Sequence, residues 1–76
     1  MSKAGTRLRN NVRELRFFAN EMTQAQLAEK VGVTRQTVAA IEKNKYAPSL
    51  ETAFLIAEVF GKPIGEVFSM APPEEG

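Results

Sequence analysis

Cysteine and histidine are both absent from the 76-residue sequence. Without cysteine there is no disulfide, no thiolate nucleophile and no cysteine-type zinc site. Without histidine there is no imidazole base, no Ser-His nucleophile and no histidine-ligated metal. Carboxylates and lysines remain for chemistry, but no pair of carboxylates shares a predicted helix face. We therefore expect a protein that is not an enzyme and that holds no metal or other cofactor.

Long hydrophobic runs are missing as well. The longest apolar run covers residues 53–57, far short of the roughly 20 residues that span a bilayer and short of a signal-peptide apolar region. The chain is long enough for one domain and too short for two. We expect a single small domain in a soluble protein of the cytoplasm, with no membrane partner.

The charged residues are unevenly distributed, although the net charge is only +1. Residues 1–16 contain five basic residues and one acidic residue, whereas residues 47–76 contain one basic residue and five acidic residues. A basic N-terminal part and an acidic C-terminal part suit a protein that turns one face towards phosphates. A chance scatter of solvated charges gives the same pattern, so the charge alone leaves both interpretations open.

Apolar spacing and capping residues predict five short helices. The first starts after Asn10 or Asn11 and ends near Asn20, and its apolar residues have helical spacing: Val12, Leu15, Phe18 and Ala19. The second opens with a capping box at residues 23–26 and stops at Gly32.

The other three helices follow from similar signals. Thr34 caps a third helix that runs from Arg35 to about Asn44, and Ser49 caps a fourth over residues 50–60. A short fifth helix follows Pro63 and runs from Ile64 to Val67 or Phe68. The expected inward face of the fourth helix consists of Leu50, Ala53, Phe54, Ala57 and Phe60.

The second and third helices are separated by a tight turn with one glycine, which is the helix-turn-helix pattern. Close crossing of the two helices requires a small residue, Ala28, and the turn requires the positive φ that Gly32 adopts easily. The expected inner anchors are Leu27, Val31, Val33, Val38 and Ile41, and the outer face of the third helix carries Arg35, Gln36, Ala39, Ala40 and Lys43. Residues 24–42 therefore predict a DNA-docking motif, and a plain helical hairpin is the alternative.

Residues 22–38, with the sequence MTQAQLAEKVGVTRQTV, resemble the Cro and phage-repressor (XRE) family of helix-turn-helix transcriptional regulators. The resemblance continues through IEKNKYAPSL and GKPIGEVF and covers roughly residues 10–68. It implies an all-α fold, a compact five-helix lambda-repressor-like DNA-binding domain. Small cytolysin-repressor-like members add a short two-stranded terminal sheet, for which residues 7–9 and 69–71 are the matching segments.

The domain organisation expected from this resemblance has three parts. Residues 1–6 form a flexible N-terminal arm, residues 7–70 form the DNA-binding domain, and residues 71–76 form a disordered tail.

The resemblance also assigns DNA contacts by position. Base-reading positions lie on the third helix, where arginine suits guanine and glutamine suits adenine: Arg35, Gln36, Thr37 and Ala40. Phosphate-contacting positions flank that helix: Gln24, Thr34, Lys43, Asn44, Lys45 and Tyr46. Each also has a plainer interpretation, as an exposed surface residue, as loop packing for Tyr46, or as a helix cap for Thr34.

Arg16 and Glu42 are expected to pair, because the family neutralises this acidic residue with an arginine of the first helix, and two independent surface charges are the alternative. Glu21 stands where relatives have a glycine, and the connection to the second helix is one residue longer, so its conformation stays open. Phe17 and Phe18 cannot both point into the core. We expect one of them to lie at the helix end under the loop.

The resemblance further implies a homodimer on double-stranded DNA, with recognition helices about 34 Å apart on a near-palindromic operator. The interface candidates are Ile64, Val67, Phe68 and Met70, with Leu55 and Val59 as additions, and the protomer's own core is their alternative location. The expected function is transcriptional regulation by occupancy of a promoter, with repression favoured and activation left open, by a protein that joins the nucleoid when bound. Alternatives are an antitoxin-like protein that binds a toxin and its own promoter, and an interaction module that has lost DNA binding.

Overall fold

The computed structural model describes residues 5–73, so the predictions for residues 1–4 and 74–76 lie outside the described residues. Its elements follow the order β1 (Leu8–Asn10), α1 (Val12–Phe18), α2 (Gln24–Val31), α3 (Arg35–Glu42), α4 (Leu50–Phe60), α5 (Ile64–Val67) and β2 (Phe68–Met70). The expected five-helix architecture with a short two-stranded sheet is confirmed. Between residues 5 and 73 there is no helix with the length and apolar character needed to cross a membrane.

The sheet joins the two ends of the domain. Strands β1 and β2 are antiparallel, with Leu8 opposite Met70 and Asn10 opposite Phe68. The pairing continues beyond β2, because the Ala71 N–H donates to the Arg7 carbonyl over 2.8 Å and the Ala71 side chain is buried. The position at which the proposed tail begins stays a prediction, but Ala71 itself packs with the sheet.

The core lies where α2, α3 and α4 meet over α1 and the sheet. Leu27, Val38 and Ile41 are fully buried, as their inward spacing predicts, and Val33 packs against them from the turn. Ala28 is buried at the crossing of α2 and α3, where a larger side chain would push the helices apart. The remaining core residues come from the flanking elements: Val12, Val31, Ala53, Ile56, Ala57, Val67 and Phe68.

The predicted inward face of α4 is wrong at two positions. Leu50 is 71% exposed and Phe54 is 52% exposed, whereas Ala53, Ile56 and Ala57 are buried. Nearly every position of α4 is apolar, so the sequence pattern does not define one buried face. Packing against α2 and α5 selects Ala53, Ile56 and Ala57 and leaves Leu50 and Phe54 in solvent.

The end of α1 also differs from the prediction. Phe17 and Phe18 are 62% and 74% exposed, so neither enters the core nor lies under the loop. Asn20 and Glu21 both have positive φ, at 60° and 54°, and the Met22 N–H donates to the Arg16 carbonyl over 2.9 Å. Two successive left-handed residues therefore accommodate the longer connection, and glycine at the Glu21 position avoids the strain that a side chain meets there.

The caps account for most helix boundaries. Thr23 and Gln26 form the expected capping box, and Gly32 ends α2 with φ 81°. At α1, Asn11 holds the cap position, but the side chain of Asn10 accepts the hydrogen bond from the Val12 N–H. Helix α3 stops at Glu42, two residues before the expected end, because Asn44 turns to a φ of 61°.

Candidate nucleic-acid interface

Helix α3 is held by α2 through a short turn and presents its outer face to solvent. The Thr34 side chain accepts a hydrogen bond from the Thr37 N–H and so caps the helix. Val38 and Ile41 point inward and are buried, while Arg35 and Gln36 are exposed in the first turn. These two polar side chains are therefore displayed by a rigid element and not by a loop.

The other two predicted base-reading residues are less available. The Thr37 hydroxyl lies 3.0 Å from the Thr34 hydroxyl, and Thr37 and Ala40 are half-buried. Thr34 acts as a cap in this structure, and its predicted phosphate contact stays a prediction. On the outer face of α3, Arg35 and Gln36 are therefore the most exposed of the predicted base-reading residues, and the small side chains of Thr37 and Ala40 are less accessible.

Arg16 and Glu42 form the expected pair between α1 and α3. The Arg16 Nε and Nη2 atoms donate to the two Glu42 carboxylate oxygens over 2.6 and 3.0 Å, and the Arg16 Nη1 atom donates to the Met22 carbonyl over 2.8 Å. The two side chains are only 14% and 6% exposed. This two-pronged contact neutralises the acidic end of α3 and fixes its position against α1.

Gln24 extends this pair to the first residue of α3. Its amide Nε2 donates to Glu42 Oε1 over 3.1 Å, and its Oε1 accepts a 3.3 Å hydrogen bond from Arg35 Nη1. A chain of contacts therefore runs from Arg16 through Glu42 and Gln24 to Arg35 and joins three helices. The chain orients the Gln24 amide and restricts the guanidinium of Arg35, an arrangement that residue spacing alone did not indicate.

The far end of α3 carries the remaining predicted phosphate contacts. Lys43, Lys45 and Tyr46 are exposed, and their phosphate contacts stay predictions. Asn44 is held differently, since its Oδ1 accepts from Asn10 Nδ2 over 3.3 Å and its carbonyl accepts from the Thr6 N–H over 3.1 Å. Asn44 therefore fixes the turn after α3, and its own phosphate contact stays a prediction.

The N-terminal segment supports this turn, which sequence reasoning missed. Asn10 Nδ2 also donates to the Ile41 carbonyl over 2.8 Å at the C-terminal end of α3. A Cβ atom on Gly5, which has a φ of 109°, would lie 2.5 Å from the Asn44 carbonyl oxygen. From the sequence, Asn10 could be interpreted only as an N-cap and Asn44 only as a polar loop residue. Their contact could not be predicted, because it joins residues 34 positions apart.

The predicted interface residues do not form one surface. Val67 is 1% exposed and Phe68 is 9% exposed, so these two residues belong to the protomer's core and the interface assignment for them is corrected. They are buried because α5 and β2 close the domain over α4 and β1. Ile64, Leu55 and Val59 are half-buried, and Met70 is 58% exposed.

Comparison with known proteins places this geometry in a family. The helix-turn-helix family model HTH_3 matches residues 12–67. The chain is 49% identical, over 80% of its length and 91% of the relative's, to an uncharacterised HTH-type transcriptional regulator of Methanocaldococcus jannaschii. It is 35% identical to the cryptic phage CTXphi transcriptional repressor RstR of Vibrio cholerae, over 79% of this chain and 53% of that one.

A solved structure agrees with these sequence relatives. The transcriptional regulator VanUg superposes with a TM-score of 0.66 at 26% identity, over 95% of each chain. The family match covers the capped pair α2 and α3 together with the helices that pack on it. The chain therefore belongs to the helix-turn-helix family of XRE-type transcriptional regulators.

Proposed function

We propose that this protein is a sequence-specific regulator that binds double-stranded DNA with α3 in the major groove. The observation that carries the proposal is the polar outer face of α3, whose first residue, Arg35, is tied through Gln24 and Glu42 to the buried end of Arg16. Because Arg35 is already held by Gln24, its side chain loses less conformational freedom when it binds a base. The same chain of contacts keeps α3 at a fixed angle to α1 and α2.

Each predicted base-reading residue has a chemical match on DNA. Arg35 suits the O6 and N7 atoms of guanine, Gln36 suits the N6 and N7 atoms of adenine, and Ala40 can contact a thymine methyl. Thr37 sits beside these as a weaker reader. The phosphates are held by residues on both sides of the helix: Gln24, Thr34, Lys43, Asn44, Lys45 and Tyr46.

The protein acts in the cytoplasm as a homodimer that reads two half-sites of a near-palindromic operator. One recognition helix reads few base pairs, whereas two helices about 34 Å apart read two successive major grooves. Three exposed apolar residues of the C-terminal half and the half-buried Ile64 form the interface between the copies: Leu50, Phe54, Ile64 and Met70. Leu50 and Phe54 replace the buried Val67 and Phe68 in this assignment.

The regulator acts as a repressor that occupies a promoter. The support is the 35% identity to the phage repressor RstR, which extends over 60 residues of this chain. A bound dimer blocks the polymerase by occupancy alone, so that no ligand pocket or chemical step is required of the protein.

Selection of bound duplexes from a random library tests the proposal. The wild-type protein enriches a near-palindrome, Arg35→Ala loses preference at one position of each half-site, and Gln36→Ala loses it at another. Lys43→Ala weakens all duplexes equally and lowers the salt slope by about one. Lys30→Ala is the matched control, because Lys30 is an exposed lysine in the last turn of α2 and is not among the predicted DNA contacts. A wild-type protein that prefers no duplex over random competitor would overturn the proposal.

A further inference from the structure

The turn after α3 takes a left-handed conformation without a glycine. The Lys45 N–H donates to the Ala40 carbonyl and the Asn44 N–H donates to the Ile41 carbonyl, each over 3.0 Å, which is the hydrogen-bond pattern of a Schellman helix end. Glycine usually occupies the left-handed position of this motif, whereas here Asn44 occupies it with a φ of 61°. Asparagine tolerates this backbone region at some strain, so contacts from elsewhere in the chain help to hold the turn.

The side chain of Asn10 supplies the first of these contacts. Its Nδ2 atom donates to the Ile41 carbonyl over 2.8 Å and to Asn44 Oδ1 over 3.3 Å. Its Oδ1 atom accepts from the Val12 N–H over 3.0 Å at the start of α1. One amide therefore ties the beginning of α1 to the end of α3, and this requires a donor and an acceptor in the same side chain.

The backbone at Gly5 and Thr6 supplies the second contact. The Thr6 N–H donates to the Asn44 carbonyl over 3.1 Å. Gly5 has a φ of 109°, and a Cβ atom at this position would lie only 2.5 Å from the same carbonyl oxygen. Because any side chain at position 5 meets that oxygen, another residue there has to move the segment away from the turn.

Both contacts start from a rigid part of the fold. Asn10 lies opposite Phe68 in the sheet, and Phe68 is buried in the core. Next to this pair, the Asn11 N–H donates to the Val67 carbonyl over 3.0 Å. The turn after α3 is therefore anchored to the core through β1 and not by α3 alone.

The anchored turn carries two of the predicted phosphate contacts. Lys43 and Lys45 flank Asn44 in the chain, and both are exposed. A lysine on a mobile turn loses backbone freedom as well as side-chain freedom when it binds a phosphate, whereas a lysine on a turn that is already held loses only side-chain freedom. Contacts that hold the turn therefore favour DNA binding without touching DNA.

We propose that Asn10 and Gly5 are positioning residues for DNA binding, an inference that rests on the proposed function. They hold the turn after α3 so that Lys43 and Lys45 reach the phosphates together. Because phosphates carry no sequence information, the loss of either positioning residue weakens all duplexes by the same factor. The preference for particular bases stays with the first turn of α3.

Fluorescence anisotropy tests this proposal with two labelled duplexes, the duplex selected by the wild-type protein and a random one. Gly5→Ala is expected to raise the Kd about fivefold on both duplexes and to lower the salt slope by about one, because a displaced turn loses phosphate contacts. Asn10→Ser is expected to have the same effect. The serine hydroxyl can still accept from the Val12 N–H, but it is one bond too short to reach the Ile41 carbonyl.

Matched controls carry the same substitutions at positions that do not contact the turn. Gly61→Ala also places alanine at a glycine with positive φ, here 65°, but its Cβ atom would meet nothing within 4 Å. Asn11→Ser removes the neighbouring amide, which donates to the Glu66 carbonyl instead. Both are expected to leave the Kd and the salt slope unchanged. Urea denaturation of each variant checks that it is folded at the temperature of the binding measurement.

A double-mutant cycle separates positioning from a general loss of structure. Lys43→Ala and Lys45→Ala together weaken wild-type binding, and the same pair is expected to weaken Gly5→Ala by a smaller factor, because its lysines are already misplaced. The proposal is overturned if Gly5→Ala and Asn10→Ser bind both duplexes as wild type does, or if the effects of Gly5→Ala and the lysine pair simply multiply. A loss on the selected duplex alone would also overturn it, because the effect would then lie on the base-reading turn of α3. A wild-type protein that binds neither duplex would overturn the proposed function itself and the positioning role with it.

Discussion

Helices α3 and α4 begin in the same way, yet they present opposite surfaces. Each follows a hydroxyl residue, Thr34 or Ser49, whose side chain accepts a hydrogen bond from the N–H three residues later. Helix α3 then exposes arginine and glutamine from its first turn. Helix α4 exposes Leu50 and Phe54 instead.

The difference shows which surface each helix is suited to meet. Arg16 neutralises the carboxylate of Glu42 at the end of α3. The polar face of α3 can therefore approach phosphates and base edges without burying an unpaired carboxylate. An apolar face gains nothing from DNA and gains from a second protein surface. Under the proposed function α3 meets DNA and α4 meets a second copy of the chain, and the following experiments break or sharpen that division.

The largest expected effect comes from Glu42→Ala, which removes one half of a nearly buried ion pair. Arg16 is then left without its carboxylate, at a cost of about 3 kcal/mol in the free energy of unfolding. Urea denaturation measures this loss. Gln24 also loses an acceptor, so operator binding falls even under conditions in which the variant is folded. A loss below about 1 kcal/mol would mean that the pair behaves like a surface salt bridge.

Arg35→Ala tests the polar face of α3 directly. Because a two-pronged arginine–guanine contact is worth about 1–3 kcal/mol, the operator Kd is expected to rise roughly 5- to 150-fold, with little change in stability. Electrophoretic mobility shift at fixed salt measures the change. Equal weakening on operator and random DNA would assign Arg35 to phosphates and not to bases.

Phe54→Ser tests the apolar face of α4. Truncation of an exposed aromatic residue at an interface typically costs more than about 1 kcal/mol, so the dimer Kd is expected to rise about tenfold. Sedimentation velocity across a concentration series measures this shift, and Phe17→Ser is the control with the same substitution on α1. An unchanged dimer with Phe54→Ser would remove α4 from the interface.

Thr34→Ala and Ser49→Ala compare the two caps. Each substitution removes one side-chain hydrogen bond to a helix N-terminus, so each is expected to cost about 1 kcal/mol of stability. Thermal denaturation measures both losses. Only Thr34→Ala is expected to weaken operator binding beyond its effect on folding, since the proposal places α3 on DNA and leaves α4 away from it. Equal effects of the two substitutions on binding would mean that Thr34 acts as a cap alone.

Sequence reasoning succeeded where a feature depends on neighbouring residues. The capping box at Thr23, the left-handed Gly32 and the Ser49 cap are local, because each hydrogen bond or backbone angle is set within a few positions of chain. The exposure of Arg35, Gln36 and Lys43 was also predicted correctly from the helical period of the sequence, whereas Ala39 and Ala40 are half-buried.

It failed where the local pattern is ambiguous or a partner is distant. Helix α4 is apolar on nearly every side, so its period could not separate the buried Ile56 from the exposed Leu50. The role of Asn10 at the turn after α3 depends on a residue 34 positions away. The links from Gln24 to both Glu42 and Arg35 also needed the packed arrangement of α2 and α3.

The sequence by itself determined the helices, their caps, the turn at Gly32 and the family to which the chain belongs. These features follow from hydrogen bonds and backbone preferences between neighbouring residues. Only the tertiary structure decided which apolar residues stay in solvent, because a small core can cover one side of α4 and leaves Leu50, Phe54 and the Phe17–Phe18 pair uncovered. It also decided that Glu42 is held by Arg16 and Gln24 together, because three helices must pack before those side chains meet.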